Sequence, residues 1–475
     1  MARNAVLALA ITAFSALFVA PATAQEPPGM LATDKYLFVV RGGWVYQFDV
    51  DTLALRRKAR FPKAPAVMWN TPKVGVEVVE AEPKDGPAAV AVAEDVQVDE
   101  VEVDEVEVDE AQLGGAGGRY GARGGAKSPG KAGGAIEAGL NWLARHQDET
   151  GRWDADGFMK HDTEGEPCDG PGNAIHDVGV TGLAMLAMLG DGSTLRSGPH
   201  RENLKRAARW LRNQQQENGL FGTNASHDFI YDHAIATYAM CEAYGLSNYT
   251  LLKNCAQQAL NYLESHRNPY SVWRYQPRDN DNDTSVTSWC LMALKSGEFF
   301  NLEVNPNALE LGLTFLDQVS SPDGRHGYTK QGEGSSRMPG QHATAFPIEK
   351  TETLTAAALF CRFFLGQSPK DKPVMKAAAD LMLKKPPKWS EKGGSIDHYY
   401  WYYGTYAMYQ MGGKHWRSWS KRMLPAVLGN QRHKGHAGGS WDPVGVWGES
   451  GGRIYSTALM VLTLQSYYRY ARLVR

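Results

Sequence analysis

Five side chains able to exchange protons stand at or near the starts of apolar helical runs: Asp177, Asp232, His233, Asp283 and His398. Carboxylates and imidazoles supply general acids and bases, and mixed His/carboxylate sets also hold zinc. The six starts read Ile175-His176-Asp177, Tyr231-Asp232-His233, Asp281-Asn282-Asp283-Thr284, Glu349-Lys350-Thr351-Glu352, His398-Tyr399-Tyr400 and Arg453-Ile454-Tyr455. If these loops meet, His176, Asp177, Asp232, His233 and His398 converge on a metal; their spacing alone does not bring them together. An Asp or Thr at a helix start is also an ordinary N-cap worth about 1 kcal/mol, so each acid carries two readings. Neither C-x-x-C nor H-E-x-x-H occurs. The expectation is therefore no cofactor, with zinc the one metal this set would suit.

Beside these groups runs YYWYY, Tyr399 to Tyr403. At helical spacing Tyr399, Tyr402 and Tyr403 share a face, while Tyr400 and Trp401 point elsewhere. One face packs in a core; another can stack on a sugar ring or shelter a cation. Tyr399, Tyr400, Tyr403, Trp441, Trp447, Arg453 and Tyr455 form the expected ligand-binding set.

The elements that must carry these residues recur. NWLARHQDETGRWD (141–154) is an apolar helical run ending in Gln, then a glycine turn, then an aromatic residue. The plan returns in WLRNQQQENGLFG, YLESHRNPYSVW, FLDQVSSPDGRHGY, a degraded LMLKKPPKW, and LGNQRHKGHAGGSW. A second helical run follows each copy: Asp177–Leu189, Asp232–Leu246, Asp283–Lys295, Thr351–Leu365, Tyr400–Met411 and Ile454–Tyr470. Six helix pairs in fixed order mark a repeat architecture, because one pair cannot bury its own apolar face. Spacing varies, 68 residues from Leu143 to Leu211 but 52 from Leu211 to Leu263. Such irregularity suits a closed ring better than a uniform solenoid, so the expected class is all-α, an (α/α)6 toroid over 134–475.

The Q-x-x-x-G-x-W turns resemble the repeats of squalene–hopene cyclases and protein prenyltransferase beta subunits. The C-terminal stretch, with DHYYWYYGTYAMYQMGG and GGRIYSTALMVLTLQSYYRY, resembles secreted bacterial proteins carrying prenyltransferase and squalene oxidase repeats. The resemblance implies a central funnel whose polar groups come from the inner-helix starts. It also locates a departure. Class II cyclases protonate an alkene with an aspartic acid in D-x-D-D-T; here Asn280-Asp281-Asn282-Asp283 precedes Thr284, and Asn282 has no acidic proton to give. The Asp/Cys/His zinc set of the prenyltransferases lacks its D-x-C at an inner-helix start.

Ahead of the ring, residues 1–24 read as a secretory signal: Arg3, an apolar run, then Ala22-Thr23-Ala24. The expected location is secreted or periplasmic, with no membrane span after cleavage. Residues 25–76 hold β-rich runs at Tyr36–Val40, Trp44–Val50 and Ala54–Phe61, with Arg41-Gly42-Gly43 as a hairpin turn. Residues 77–110 carry 14 acidic residues against Lys84 alone, and 114–134 are glycine-rich with four basic residues. Together 77–133 read as a disordered linker. What remains is nearly neutral, which excludes a nucleic-acid footprint. The five cysteines lack framework spacing.

Two classes of function follow. The first is a ligand- or protein-binding scaffold lacking the catalytic motifs of the family. The second is an enzyme in the funnel, either a terpenoid-cyclase-like isomerase or a polysaccharide lyase or hydrolase. The partner would be a hydrophobic or glycan ligand, or a protein.

Overall fold

The computed structural model describes four strands between Met30 and Arg60, then residues 131–163 and 167–470. The expected signal and the acidic run lie outside the described residues. The chain divides into two units, 1–105 and 106–475.

In the first unit β1 (Met30–Ala32), β2 (Tyr36–Arg41), β3 (Trp44–Asp49) and β4 (Leu55–Arg60) form an antiparallel meander in sequence order. β2 and β3 pair in register from Tyr36–Asp49 to Arg41–Trp44, as expected of a hairpin. β1 had no counterpart in the expected runs.

The second unit holds twelve long helices. Six form an outer layer: α1 (Lys131–Arg145), α3 (Arg201–Gln214), α5 (Lys253–His266), α7 (Pro306–Gln318), α9 (Pro373–Met382) and α11 (Gly413–Leu428). Six form the inner layer: α2 (Asp177–Gly190), α4 (Phe229–Ser247), α6 (Thr284–Phe299), α8 (Thr353–Phe364), α10 (His398–Met411) and α12 (Gly448–Leu464). Each inner helix packs on the next, and α12 packs back on α2, so the ring closes. This is the expected (α/α)6 toroid. α1 begins at Lys131, inside the stretch expected to be linker. Every residue of α2 is buried, as an inner helix covered on all sides requires. α3 keeps its apolar residues, Leu204, Ala207, Ala208 and Leu211, on one face. Among the described residues no helix is long and apolar enough to cross a membrane.

The repeated turns clamp the ring. Gln147 Nε2 donates to Gly151 O at 2.8 Å and to Asn203 O of α3 at 2.9 Å. Gln215 does the same to Gly219 O and to Cys255 O of α5. Gln431 donates to Gly439 O and reaches Ala135 O of α1, joining the last repeat to the first. Gly151 (φ 105°) and Gly439 (φ 102°) sit in left-handed backbone against the next outer helix, where a Cβ would strike Arg206 O and Ala138 O. The aromatic residues that follow are buried anchors: Trp153, Trp273 and Trp441 donate Nε1–H to Leu143, Leu263 and Val427 carbonyls. Their backbone N–H groups donate to Thr181, Thr287 and Thr457 on the paired inner helices. The turn is thus a joint between three helices.

Candidate functional site

The N-terminal mouth of the inner ring gathers polar groups around α6 and α10. Asp283 is the N-cap of α6; its Oδ1 accepts from Val286 N at 2.8 Å. The joint before it is tied by Asp283 N donating to Trp273 O, and Thr284 N donates to Tyr328 O. That brings two adjoining turns together. Arg274 and Tyr275 follow Trp273, and Tyr328 follows the fourth turn. Tyr328 OH donates to Asp283 Oδ2 at 3.4 Å, the Tyr275 and Tyr328 hydroxyls lie 2.5 Å apart, and Arg274 Nε lies 3.7 Å from Asp283. The Arg274 guanidinium stands 5.4 Å from both tyrosine rings.

Asp283 is fully buried, and burial pushes its pKa up to about 7, against the opposing pull of Val286 N–H and Arg274. Around it Tyr231, Tyr275 and Tyr328 are half-buried. Tyr399 OH is 3.1 Å from Ser285 Oγ and within electrostatic reach of Asp283. Tyr455 lies within similar reach of Tyr399, Asp397 and Arg337. The result is a carboxylic acid behind a rim of tyrosines, with a hydroxyl pair leading outward.

The other expected residues divide. Asp177 accepts from Arg152 Nη1 at 2.6 Å and from Ala155 N at 2.9 Å, and burial pushes its pKa up to about 6. Arg152 and Lys160 also hold Asp154, so the trio Asp154, Asp156 and Asp177, close enough to share a cation, already receives two cationic side chains. Asp232 lies inside the first turn of α4 and pairs with His176 Nδ1 at 3.1 Å.

His233 turns to the outer layer, accepting from Phe221 N at 3.0 Å with Nε2 3.2 Å from Ala259 O. Burial pushes its pKa down to about 3, so it is a neutral joint residue in the place other repeats give to Thr. His398 lies tilted to Trp389 and edge-on to Trp401, with ring centroids 5.6 and 5.8 Å away, and burial pushes its pKa down to about 4. The expected convergence of His176, Asp177, Asp232, His233 and His398 on zinc therefore does not form. Two of the three imidazoles serve packing, Asp177 is held by Arg152, and only His176 and Asp232 of the set meet.

The aromatic set also needs correction. Tyr400 points outward, donating to Lys385 O at 2.9 Å and packing on Trp419. Tyr403 is fully buried with Tyr402, both beside Trp289. Trp441 is the joint residue described above. Arg453 is buried, held by Asp442 at 2.6 Å and by Asp169. Trp447 stacks on His342 at 5.6 Å. Tyr399 and Tyr455 alone of the set line the acid-bearing mouth.

Sequence reasoning passed over Arg274, Tyr275, Tyr328, Tyr231 and Asp397. Asp397, one residue before His398, is the fully buried N-cap of α10 and accepts from Thr353 Oγ1 at 2.7 Å and Arg337 Nη2 at 3.2 Å. A usable signal existed: Arg274-Tyr275 and Tyr328 come directly after the repeat aromatic or its equivalent, where the chain turns inward. Asn282, in the place of the cyclase acid, accepts from Val272 N and Asn268 Nδ2, both at 3.1 Å, as a turn residue.

No family model matches the sequence, and no curated protein does. Among solved structures, similarity is found to an inactive variant of an α-1,6-mannanase of Salegentibacter sp. HEL1_6 in complex with α-1,6-mannotriose, at 10% identity and TM-score 0.49, covering 70% of this chain and 98% of that one. An unsaturated glucuronyl hydrolase specific for heparin matches at 11% identity and TM-score 0.47, covering 71% and 96%. Cellobiose 2-epimerase from Bacillus thermoamylovorans B4167 matches at 13% identity and TM-score 0.47, covering 70% and 98%. At these identities and scores the likenesses add nothing on chemistry to what the closed ring of helix pairs itself displays.

Proposed function

We propose that the protein is an enzyme acting at the N-terminal mouth of the ring on a glycan, a polysaccharide hydrolase or lyase with Asp283 as its general acid. One observation carries this reading: Asp283 is wholly buried behind half-buried tyrosines with Arg274 standing off at 3.7 Å, an environment that pushes its pKa up to about 7 and suits a carboxyl group to act as acid at working pH. Half-buried tyrosines offer stacking faces to sugar rings, and their hydroxyls meet polyhydroxylated ligands. Proton delivery from Asp283 through the Tyr328 hydroxyl lets the glycosidic C–O bond break; in hydrolysis water adds to the anomeric carbon and gives up the balancing proton, and Arg274 stabilises the carboxylate. The apparent signal segment supports action outside the cytoplasm, where such polymers lie. The Q-x-x-x-G-x-W turns support kinship of the ring with squalene–hopene cyclases and prenyltransferase beta subunits, but Asn282 is committed to its turn, and no cyclised product is expected from squalene.

The test is a panel of neutral and uronic polysaccharides given to the purified full chain, read by new reducing ends and by unsaturated-uronate absorbance. Turnover abolished by Asp283→Asn supports the reading; turnover unchanged by it overturns the assignment. The scaffold reading is favoured by the fact that Asp283 and Asp397 both serve as helix caps. Saturable glycan binding without turnover, equal in wild type and Asp283→Asn, would favour it.

A further inference from the structure

Outside the mouth, a second cluster of ligand-type side chains joins the two ends of the ring. His146 ends the first outer helix segment, Asp162 and Cys168 lie in the loop that follows, and His436 lies in the turn of the last repeat. His146 Nε2 is 3.0 Å from Asp162 Oδ1 and 3.7 Å from Cys168 Sγ. His436 Nδ1 is 3.3 Å from the same Asp162 oxygen. We propose that His146, Asp162 and Cys168 form a zinc site, with His436 holding the Asp162 carboxylate from outside, so that the site pins the first repeat to the last.

Three features carry this. The spacing suits a shared ion: the ligand atoms of His146, Asp162 and Cys168 all lie within 4.8 Å of one another, and tetrahedral zinc with bonds of about 2.0–2.3 Å needs only small side-chain shifts to take them. The donor set fits, because a thiolate with an imidazole selects zinc over magnesium or calcium, which take oxygen ligands.

The proton count fits as well. His146 Nδ1 lies 2.8 Å from Trp142 O while its Nε2 faces Asp162. A neutral imidazole has one N–H and cannot donate to two acceptors. With Nδ1–H given to the carbonyl, the Nε2 lone pair faces the carboxylate, and a cation between them resolves the conflict. A backbone carbonyl on the far nitrogen is also the usual way to orient a metal-bound imidazole.

The surroundings are built for this. Trp142 stacks on the His146 ring at 4.1 Å and donates Nε1–H to His436 O at 2.9 Å, so one side chain positions both imidazoles. Cys168 N donates to Asp162 Oδ2 at 2.7 Å, orienting the carboxylate. The side chains of His146 and Asp162 are 3% and 2% exposed, that of His436 24%, so an ion would have one path to solvent. Binding takes up the metal and releases the Cys168 proton. The set stands apart from Asp283 and its tyrosines, and its role is ring closure rather than turnover.

The experiment uses the full chain, purified without chelator, then dialysed against zinc and separately against cobalt. The expected result is one equivalent of zinc per chain. In the cobalt form a sulfur-to-metal charge-transfer band should appear and vanish in Cys168→Ser. His436→Gln, on a part-exposed turn, keeps the fold and should weaken zinc by roughly tenfold or more. His433→Gln, an exposed neighbour in the same turn, should bind as wild type does. Failure to take up zinc, or uptake unchanged in both Cys168→Ser and His436→Gln, overturns the proposal and leaves His146 as a hydrogen-bonding partner of Asp162.

Discussion

Two buried acids, Glu242 at the C-terminal end of the inner ring and Asp283 at the N-terminal end, are treated in opposite ways. At the C-terminal end Arg469 Nη2 meets Glu242 Oε2 at 2.7 Å, both wholly buried, and Arg469 also donates to Tyr470 OH at 3.1 Å. Tyr238 and Tyr470 hydroxyls touch beside them, and Phe360, Phe364 and Tyr406 pack round Tyr470. That end is a sealed plug, each charge answered by its opposite. At the N-terminal end Asp283 is equally buried, but its nearest cation stands off at 3.7 Å, and its hydroxyl partners are half-exposed. A paired charge in a dry core is architecture. A carboxyl held neutral by burial beside an opening is poised for proton transfer.

The largest effect is expected at the plug. Arg469→Met or Glu242→Gln alone strands one buried charge and should cost about 3–5 kcal/mol by denaturant unfolding. Arg469→Met with Glu242→Leu should recover most of that loss. Additive losses would show that the pair is not a coupled unit.

At the mouth the expected signature is pH dependence. The native pKa of Asp283 lies above its unfolded value, so its contribution is fully present below pH ~4. It is lost as pH rises from there to about 7. Asp283→Asn, which keeps the cap on Val286 N, should remove a change on the order of 4 kcal/mol across that window. Neutral His233 and His398 act with the opposite sign, losing stability as pH falls below ~6.5, toward their depressed values of about 3 and 4. Comparing wild type with Asp283→Asn isolates the acid; superimposable pH–stability curves would place it in an ordinary solvated state.

A smaller effect belongs to the joints. Gln431→Ala removes the bond from the last turn to Ala135 O and should cost about 1–2 kcal/mol in the same assay. The smallest separates neighbours on α10. Tyr400→Phe loses a structural bond to Lys385 O and should cost about 1 kcal/mol without touching glycan binding or turnover. Tyr399→Phe should alter ligand affinity with little loss of stability. Reversal of these two would move the ligand to the outer layer.

How much of this was legible differs between fold and site. Q-x-x-x-G-x-W was legible because each of its residues also has a partner close in sequence: Gln147 bonds Gly151 O four residues on, and Trp153 bonds Leu143 O ten residues back. An amide bridges two helix ends, a glycine takes left-handed backbone, and an indole fills a gap. Interactions of such short range leave short-range signatures, so the six pairs and their order could be read directly. The mouth left a weaker trace. Asp283 was singled out for its place before Thr284, yet Tyr328, which meets it, lies 45 residues away. His398 looked like chemistry and Asp397 did not, although the helix start turns the former among tryptophans and the latter to Arg337.

Apolar periodicity and turn residues by themselves determined that this chain forms paired helices, because amphipathic faces and left-handed glycines act within a few residues. Only the closed tertiary structure decided which polar groups are neutral, which are paired and which face the opening. Those properties depend on desolvation and on neighbours from distant repeats, as His436 beside Asp162 and Tyr470 beside Tyr238 demonstrate.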